Sequence, residues 1–264
     1  MPDGHQRPHQ AHPRAFRWAA SVELIPVAVV QALETVPALQ RGRCDARESD
    51  GVRPVDWKDV EATLPHLPRP VAAMVQIMRF SNCRAEDAVI MRGCDLTMMG
   101  VVWEYKPARH KNQWREENSP IHKRVVHIGP RCQEVIRRFL QPDLQAYLFS
   151  PRESRVEYQA RRAALRKTKR TPSELRRKRN LKPRRAPGAR NSVNSFQQCV
   201  RKACRKIGIP VWTVLQLRHS RATQVRQQYG LEGAAASLGD TVEAAAVYAE
   251  KNRELAKRIA REIG

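Results

Sequence analysis

The chain has 264 residues, with 49 lysines and arginines against 26 acidic residues, so its formal charge at pH 7 is +23. This length and a hydrophobic fraction of 41% are enough for one large domain with a real core, which excludes a disordered polycation. No apolar run approaches the roughly 18 residues that span a bilayer, and residues 1–20 lack the apolar stretch of a secretory signal peptide. We therefore expect a soluble protein of the cytoplasm.

Residues 1–50 are a polar leader followed by one amphipathic segment, Val22–Leu39, with valines and leucines at helical spacing. Downstream, Asp56 is a helix-capping residue, Pro70–Phe80 is a strongly apolar helix, and residues 191–264 have helical patterns throughout. Short β-strands are predicted over residues 101–105 and 123–128. The predicted fold class is α+β, mostly α-helical, with a small antiparallel sheet.

The positive charge is concentrated between residues 151 and 190. This segment holds 16 basic and 3 acidic residues, a net +13. Prolines and a glycine interrupt it, which indicates a long insertion with a helical first half. Two interpretations stay open: a solvated basic loop, or an arm that follows the phosphates of a nucleic acid. In the second interpretation, an arm that follows phosphates, the DNA-binding residues are Arg161, Arg162, Arg166, Lys167, Lys169, Arg170, Arg176, Arg177, Lys178 and Arg179.

An arginine with a distinctive pattern of neighbours lies early in the domain. Arg84 is followed by Asp87 three residues later, by Met91 at seven and by Asp95 at eleven. This pattern resembles the first arginine box of the tyrosine recombinase (phage integrase) family. Far downstream, the stretch 215–223 is similar to the second arginine box of that family.

Two further segments follow the order of the same family. Leu238-Gly239-Asp240, followed by Tyr248, resembles the Leu-Gly-His segment and the nucleophilic tyrosine. Lys111 lies between the two predicted strands, where the family carries a lysine on a β-hairpin. The resemblance covers roughly Val52 to Gly264 and is closest to integrases with a basic insertion before the second arginine box.

The resemblance implies a site-specific recombinase or integrase of a mobile element, which breaks and rejoins DNA through a 3′-phosphotyrosyl intermediate. Tyrosine attacks the phosphodiester, two arginines bind the non-bridging oxygens, and lysine protonates the departing 5′-oxygen. No metal and no cofactor is implied, because the arginines supply the positive charge. The implied catalytic residues are Tyr248, Arg84, Arg218 and Lys111, with Asp87 as an orienter of Arg84 and His219 in support.

Two family histidines are replaced in this chain. Leu215 stands three residues before Arg218, and Asp240 follows Gly239. Leucine cannot accept the tyrosine proton, and an aspartate would repel a phosphate. The alternative is therefore an impaired relative that only binds DNA.

The predicted organisation has two parts. Residues 1–50 are expected to be the leader, the last helix of a shortened DNA-binding domain and a linker, and residues 51–264 the catalytic domain with its basic insertion. The expected partners are double-stranded DNA and further copies of the chain, from a dimer to a tetrameric synapse. The expected location is the cytoplasm, at the nucleoid, with no membrane partner.

Overall fold

The structure is a computed structural model that describes residues 6–37, 42–43, 50–109, 124–176 and 187–263. The chain divides into two compact units, Met1–Val52 and Arg53–Gly264. Within the described residues, no helix has the length and apolar character needed to cross a membrane.

The first unit contains two helices that pack on each other, α1 (Gln6–Ser21) and α2 (Val27–Glu34). The single helix predicted over Val22–Leu39 is too long, because Pro26 stands before α2 with φ −62° and ψ 143°. Its extended backbone interrupts the helix, so α2 begins at the next residue. Leu39 lies outside the described residues.

The second unit combines helices with one small sheet, and the predicted class, mostly α-helical with an antiparallel sheet, is confirmed. The helices are α3 (Trp57–Thr63), α4 (Arg69–Ser81), α5 (Ala85–Ile90), α6 (Pro130–Arg137), α7 (Pro151–Ala164), α8 (Pro172–Arg176), α9 (Val193–Ile207), α10 (Val214–Leu238), α11 (Val242–Tyr248) and α12 (Arg253–Ile263). The strands are β1 (Leu96–Thr97), β2 (Trp103–Tyr105) and β3 (Val126–Ile128).

Helix α4 is the centre of the core. It is the predicted apolar helix, and Met74, Ile77 and Met78 on it are almost completely buried. It packs against α5, α6, β3 and α10. The predicted cap of the preceding helix is also confirmed, since the Asp56 carboxylate accepts the backbone N–H of Lys58 at 2.9 Å.

The sheet has the order β1-β2-β3, and both pairings are antiparallel. Trp103 lies opposite Ile128, and both side chains are buried, as the alternation of a strand with one covered face requires. The first predicted strand is shorter than expected at its amino end. Gly100, with φ +73°, makes a turn there, and Val101 is 78% exposed.

Helix α10 changes direction inside its length. Gly230 has φ 76° and ψ −174°, which is not helical and is a conformation essentially restricted to glycine. The helix then ends at Gly239, which is left-handed with φ 62°. The break and the cap together set the direction of the chain as it enters Asp240 and α11.

Candidate active site

Arg84 lies directly before α5, after the turn that ends α4. Asn82 makes this turn in the left-handed conformation, with φ 59° and ψ 18°. The carboxylate of Asp87 accepts the backbone N–H of Arg84 at 2.9 Å, which fixes the main chain of the arginine. Asp87 thus holds Arg84 through its backbone, whereas the Arg84 guanidinium donates to Asp240.

Behind Arg84, Asp87 forms a buried ion pair with Arg124. Nη2 of Arg124 lies 2.8 Å from Oδ2 of Asp87, and the two side chains are 6% and 1% exposed. Arg124 also donates from Nη1 to the carbonyl of Leu238 at 3.4 Å. Arg124 was not among the candidates from the sequence, because it follows the β-hairpin connection and belongs to none of the family boxes.

Arg218 is the most deeply buried cation of the site, with 1% exposure on α10. It donates from Nη1 to the carbonyl of Asn82 and from Nη2 to the carbonyl of Leu238 at 3.0 Å. Burial lowers the pKa of the Arg218 guanidinium, and the charge of Asp240 opposes that shift. An arginine this rigidly held can bind an oxyanion without reorganising.

Asp240 joins Arg84 and Arg218, the two arginines predicted to bind the phosphate, which we call the arginine clamp. Its Oδ1 lies 2.7 Å from Nη2 of Arg84, and its Oδ2 lies 2.6 Å from Nη2 of Arg218. The Asp240 side chain is 14% exposed, and that of Arg84 is 30% exposed. One carboxylate therefore sets the spacing of the two guanidiniums, and the clamp opens to solvent on the Arg84 side.

Tyr248 ends helix α11 beside Arg218. The Cζ atom of Arg218 lies 5.0 Å from the centroid of the half-buried Tyr248 ring, within the range of a cation–π contact. The chain just after it is tied back to α10, because Thr223 Oγ1 accepts the backbone N–H of Glu250 at 3.0 Å. These contacts hold the tyrosine against the arginine clamp.

His219, which follows Arg218 on α10, packs its ring against that of Tyr248. The two ring centroids are 5.0 Å apart. Burial lowers the pKa of His219, although a hydrogen bond to the Tyr248 backbone opposes the shift, so the imidazole is neutral at pH 7. Cys83, next to Arg84, is no rival nucleophile, because burial raises the pKa of its thiol to about 12.

The fold has counterparts among solved structures. The crystal structure of XerA recombinase matches with a TM-score of 0.51 and 13% identity, over 90% of this chain and 73% of that one.

The chain has the tyrosine recombinase catalytic-domain fold.

Two structures of XerH site-specific recombinase are also similar. The pre-cleavage complex with difH substrate has a TM-score of 0.46 and 12% identity, over 86% of this chain and 59% of that one. The post-cleavage complex with palindromic difH has a TM-score of 0.48 and 14% identity, over 86% and 57%. The chain thus spans less than two thirds of the XerH chains. No protein-family model matches the sequence, and no curated protein does.

Within this recombinase fold, the two predicted arginine boxes and the segment that carries the tyrosine come together. Arg84 and Arg218 meet at Asp240, and Tyr248 lies against Arg218. The hairpin predicted for the lysine corresponds to the antiparallel pair of β2 and β3, and Lys111 lies outside the described residues.

Leu215, which the resemblance aligns with a histidine of the family, lies on α10. It is 38% exposed and one turn before Arg218. Its side chain has no proton to exchange, so it adds nothing to acid–base chemistry.

The basic segment that starts at residue 151 begins with α7, so its first half is helical as predicted. Its described arginines and lysines that we expect to bind DNA are exposed. Arg166 Nη2 lies 2.6 Å from Oε2 of Glu174 and so ties the end of α7 to α8. Of the predicted residues, Arg177, Lys178 and Arg179 lie outside the described residues.

Proposed function

We propose that the chain is a site-specific recombinase or integrase of a mobile element that breaks and rejoins DNA through a 3′-phosphotyrosyl bond to Tyr248. One observation carries the proposal. Two arginines far apart in sequence, Arg84 and Arg218, converge on one anionic group beside the ring of that tyrosine. A pair of fixed guanidiniums beside a hydroxyl nucleophile is the arrangement that metal-free phosphoryl transfer needs.

Oη of Tyr248 bonds to phosphorus, the bond from phosphorus to the 5′-oxygen breaks, and the 5′-oxygen takes a proton from Lys111. The tyrosine proton leaves to His219, whose neutral imidazole faces the ring. Arg84 and Arg218 neutralise the charge that builds on the non-bridging oxygens. Rejoining is the reverse attack by a 5′-hydroxyl, so no external energy is needed.

Double-stranded DNA is the proposed partner. Exposed basic residues on α7 and α8 face solvent and provide a sequence-independent grip on phosphates, whereas the arginine clamp acts on one phosphate. We extend the proposal to self-association on DNA, up to a tetramer, and to a place at the nucleoid.

A second candidate function is DNA binding without cleavage. The observation that favours it is Asp240, whose carboxylate already forms an ion pair with both arginines. Together with Leu215, it removes two groups that would assist the reaction.

A covalent-trapping assay tests the proposal. The purified chain is incubated with nicked duplexes carrying the ends of its host element, so that cleavage releases a short strand and the enzyme stays attached. A protein–DNA adduct should survive denaturing electrophoresis and disappear in Tyr248→Phe. The matched control is Tyr229→Phe, which removes the hydroxyl of a 73% exposed tyrosine on α10 and should leave the adduct intact.

The two candidates give different results in that assay. DNA binding without any adduct would reject the enzyme and support the binding protein. An adduct that persists in Tyr248→Phe would show that another nucleophile acts.

A further inference from the structure

The strongest unassigned feature of the site is the carboxylate of Asp240 between the two arginines. Both of its oxygens are used, one by Arg84 and one by Arg218. A phosphodiester also presents two non-bridging oxygens on one central atom, and guanidiniums bind both kinds of anion with the same donors. Asp240 therefore occupies the position that a phosphate needs.

The charges around Asp240 explain why an anion is held there. Among the described residues, Arg84, Arg124 and Arg218 lie close enough that the other two guanidiniums help to lower the pKa of Arg218. Asp87 pairs with Arg124, and Asp240 pairs with the remaining two. Without a carboxylate at position 240, the clamp would hold two unneutralised cations at a partly buried site, with Arg218 the more desolvated of the two.

We propose that Asp240 is an internal ligand of the clamp, which holds Arg84 and Arg218 together in the absence of DNA and leaves when a phosphate enters. This inference rests on the proposed function only in taking the arginine pair as the phosphate site. It adds that the affinity of the site for phosphate is set by competition with a residue of the chain itself.

The surroundings of Asp240 permit the exchange. Leu238, whose carbonyl accepts from Arg218, stays with α10, while Asp240 follows the left-handed Gly239 cap in the turn to α11. Arg218 is therefore held by backbone carbonyls after the carboxylate leaves. Arg84 is the more exposed partner, so an incoming anion meets it first.

The test measures anion binding without DNA. Inorganic sulfate is the probe, titrated against wild type and Asp240→Asn at constant ionic strength, with the shift in unfolding temperature as the readout. The control is Asp95→Asn, which removes the same charge from another partly buried pair, where Oδ1 of Asp95 lies 2.8 Å from Nη2 of Arg92. The control also measures the general stabilisation that sulfate gives to any folded protein.

The inference predicts that Asp240→Asn binds sulfate at least about tenfold more tightly than wild type. In wild type, a clamp that is free of Asp240 for only one tenth of the time has an apparent affinity for sulfate about tenfold lower than a clamp that is always free. Asp95→Asn should match wild type. The gain should vanish when Arg84→Gln is added to Asp240→Asn. Equal affinities in wild type and Asp240→Asn, or a gain that survives Arg84→Gln, would overturn the inference.

If Asp240→Asn does not fold in chloride, the same competition predicts recovery in sulfate. The variant should then regain its helical circular dichroism in sulfate and not in chloride at equal ionic strength, and the recovery should be lost when Arg84→Gln is added, because the general stabilisation by sulfate does not depend on Arg84. No recovery in either salt, or a recovery that survives Arg84→Gln, would overturn the inference. The outcome is separate from catalysis. A wild type that forms no covalent adduct refutes the proposed cleavage but leaves the sulfate result standing, and the converse also holds.

Discussion

Replacing Arg124 by leucine should destabilise the second unit strongly, although no sequence motif marks this residue. The change removes the guanidinium from Asp87, whose side chain is 1% exposed and lies 2.8 Å from Arg124. The carboxylate of Asp87 then still accepts the backbone N–H of Arg84, at 2.9 Å. A buried carboxylate is left without its counter-charge.

The burial of the pair decides the size of the effect. Breaking a buried ion pair by removing one partner costs about 3–5 kcal/mol, because the remaining charge stays desolvated. That is a large share of the roughly 5–15 kcal/mol that stabilises a typical domain. Arg124→Lys should lower the free energy of unfolding less, by about 1–3 kcal/mol relative to wild type. The ammonium of lysine keeps the positive charge but lacks the planar fork of the guanidinium.

Urea unfolding, followed by tryptophan fluorescence and far-ultraviolet circular dichroism, measures the destabilisation. The control is Lys257→Met, which breaks an ion pair of α12 whose side chains are 64% and 80% exposed and should not change the free energy of unfolding beyond error. In the trapping assay, Arg124→Lys should also form less adduct, because Arg124 donates to the carbonyl of Leu238 at the end of α10. A destabilisation below about 1 kcal/mol for Arg124→Leu would refute the assignment of Asp87 as a charge that depends on Arg124.

Three other changes test the backbone of the site and its grip on DNA. Gly230→Ala should lower the free energy of unfolding by about 1–3 kcal/mol because of its glycine-only conformation, whereas Gly51→Ala, in open space, should be neutral in the same urea measurement. Asn82→Ala should be about 1 kcal/mol less stable than Asn82→Gly. Both changes remove the side-chain amide, but only alanine has a Cβ atom, which makes the positive φ of this position unfavourable. Replacing Arg161 and Arg162 by glutamine should flatten the salt dependence of DNA affinity, by about one unit of slope for each phosphate that is no longer neutralised, and an unchanged slope would exclude them from phosphate binding.

The parts of the fold that could be predicted are those with local signals. The apolar period of α4 and the cap at Asp56 depend on neighbouring residues, and both are confirmed. Arg84 and Arg218 were found as candidates through family boxes, and Asp240 brings them together although they come from distant segments of the chain.

The parts that could not be predicted depend on contacts between distant segments. Arg124 and Asp87 belong to different parts of the fold, so no periodicity links them. The resemblance places Asp240 where the family has a histidine, but the contacts of Asp240 could not be inferred from the sequence. Repulsion of phosphate was expected, whereas a carboxylate that binds both arginines is seen only once the helices are packed.

Position 240 is where stability and phosphate affinity have opposite requirements. A histidine there would donate to a phosphate but could not neutralise Arg84 and Arg218 in the free protein, because imidazole is neutral or positive. An aspartate neutralises them, since it accepts from both guanidiniums, and for the same reason it competes with the substrate. The free chain is therefore stabilised by the residue that an incoming phosphate must displace, so increases in phosphate affinity at this position should come with a decrease in stability.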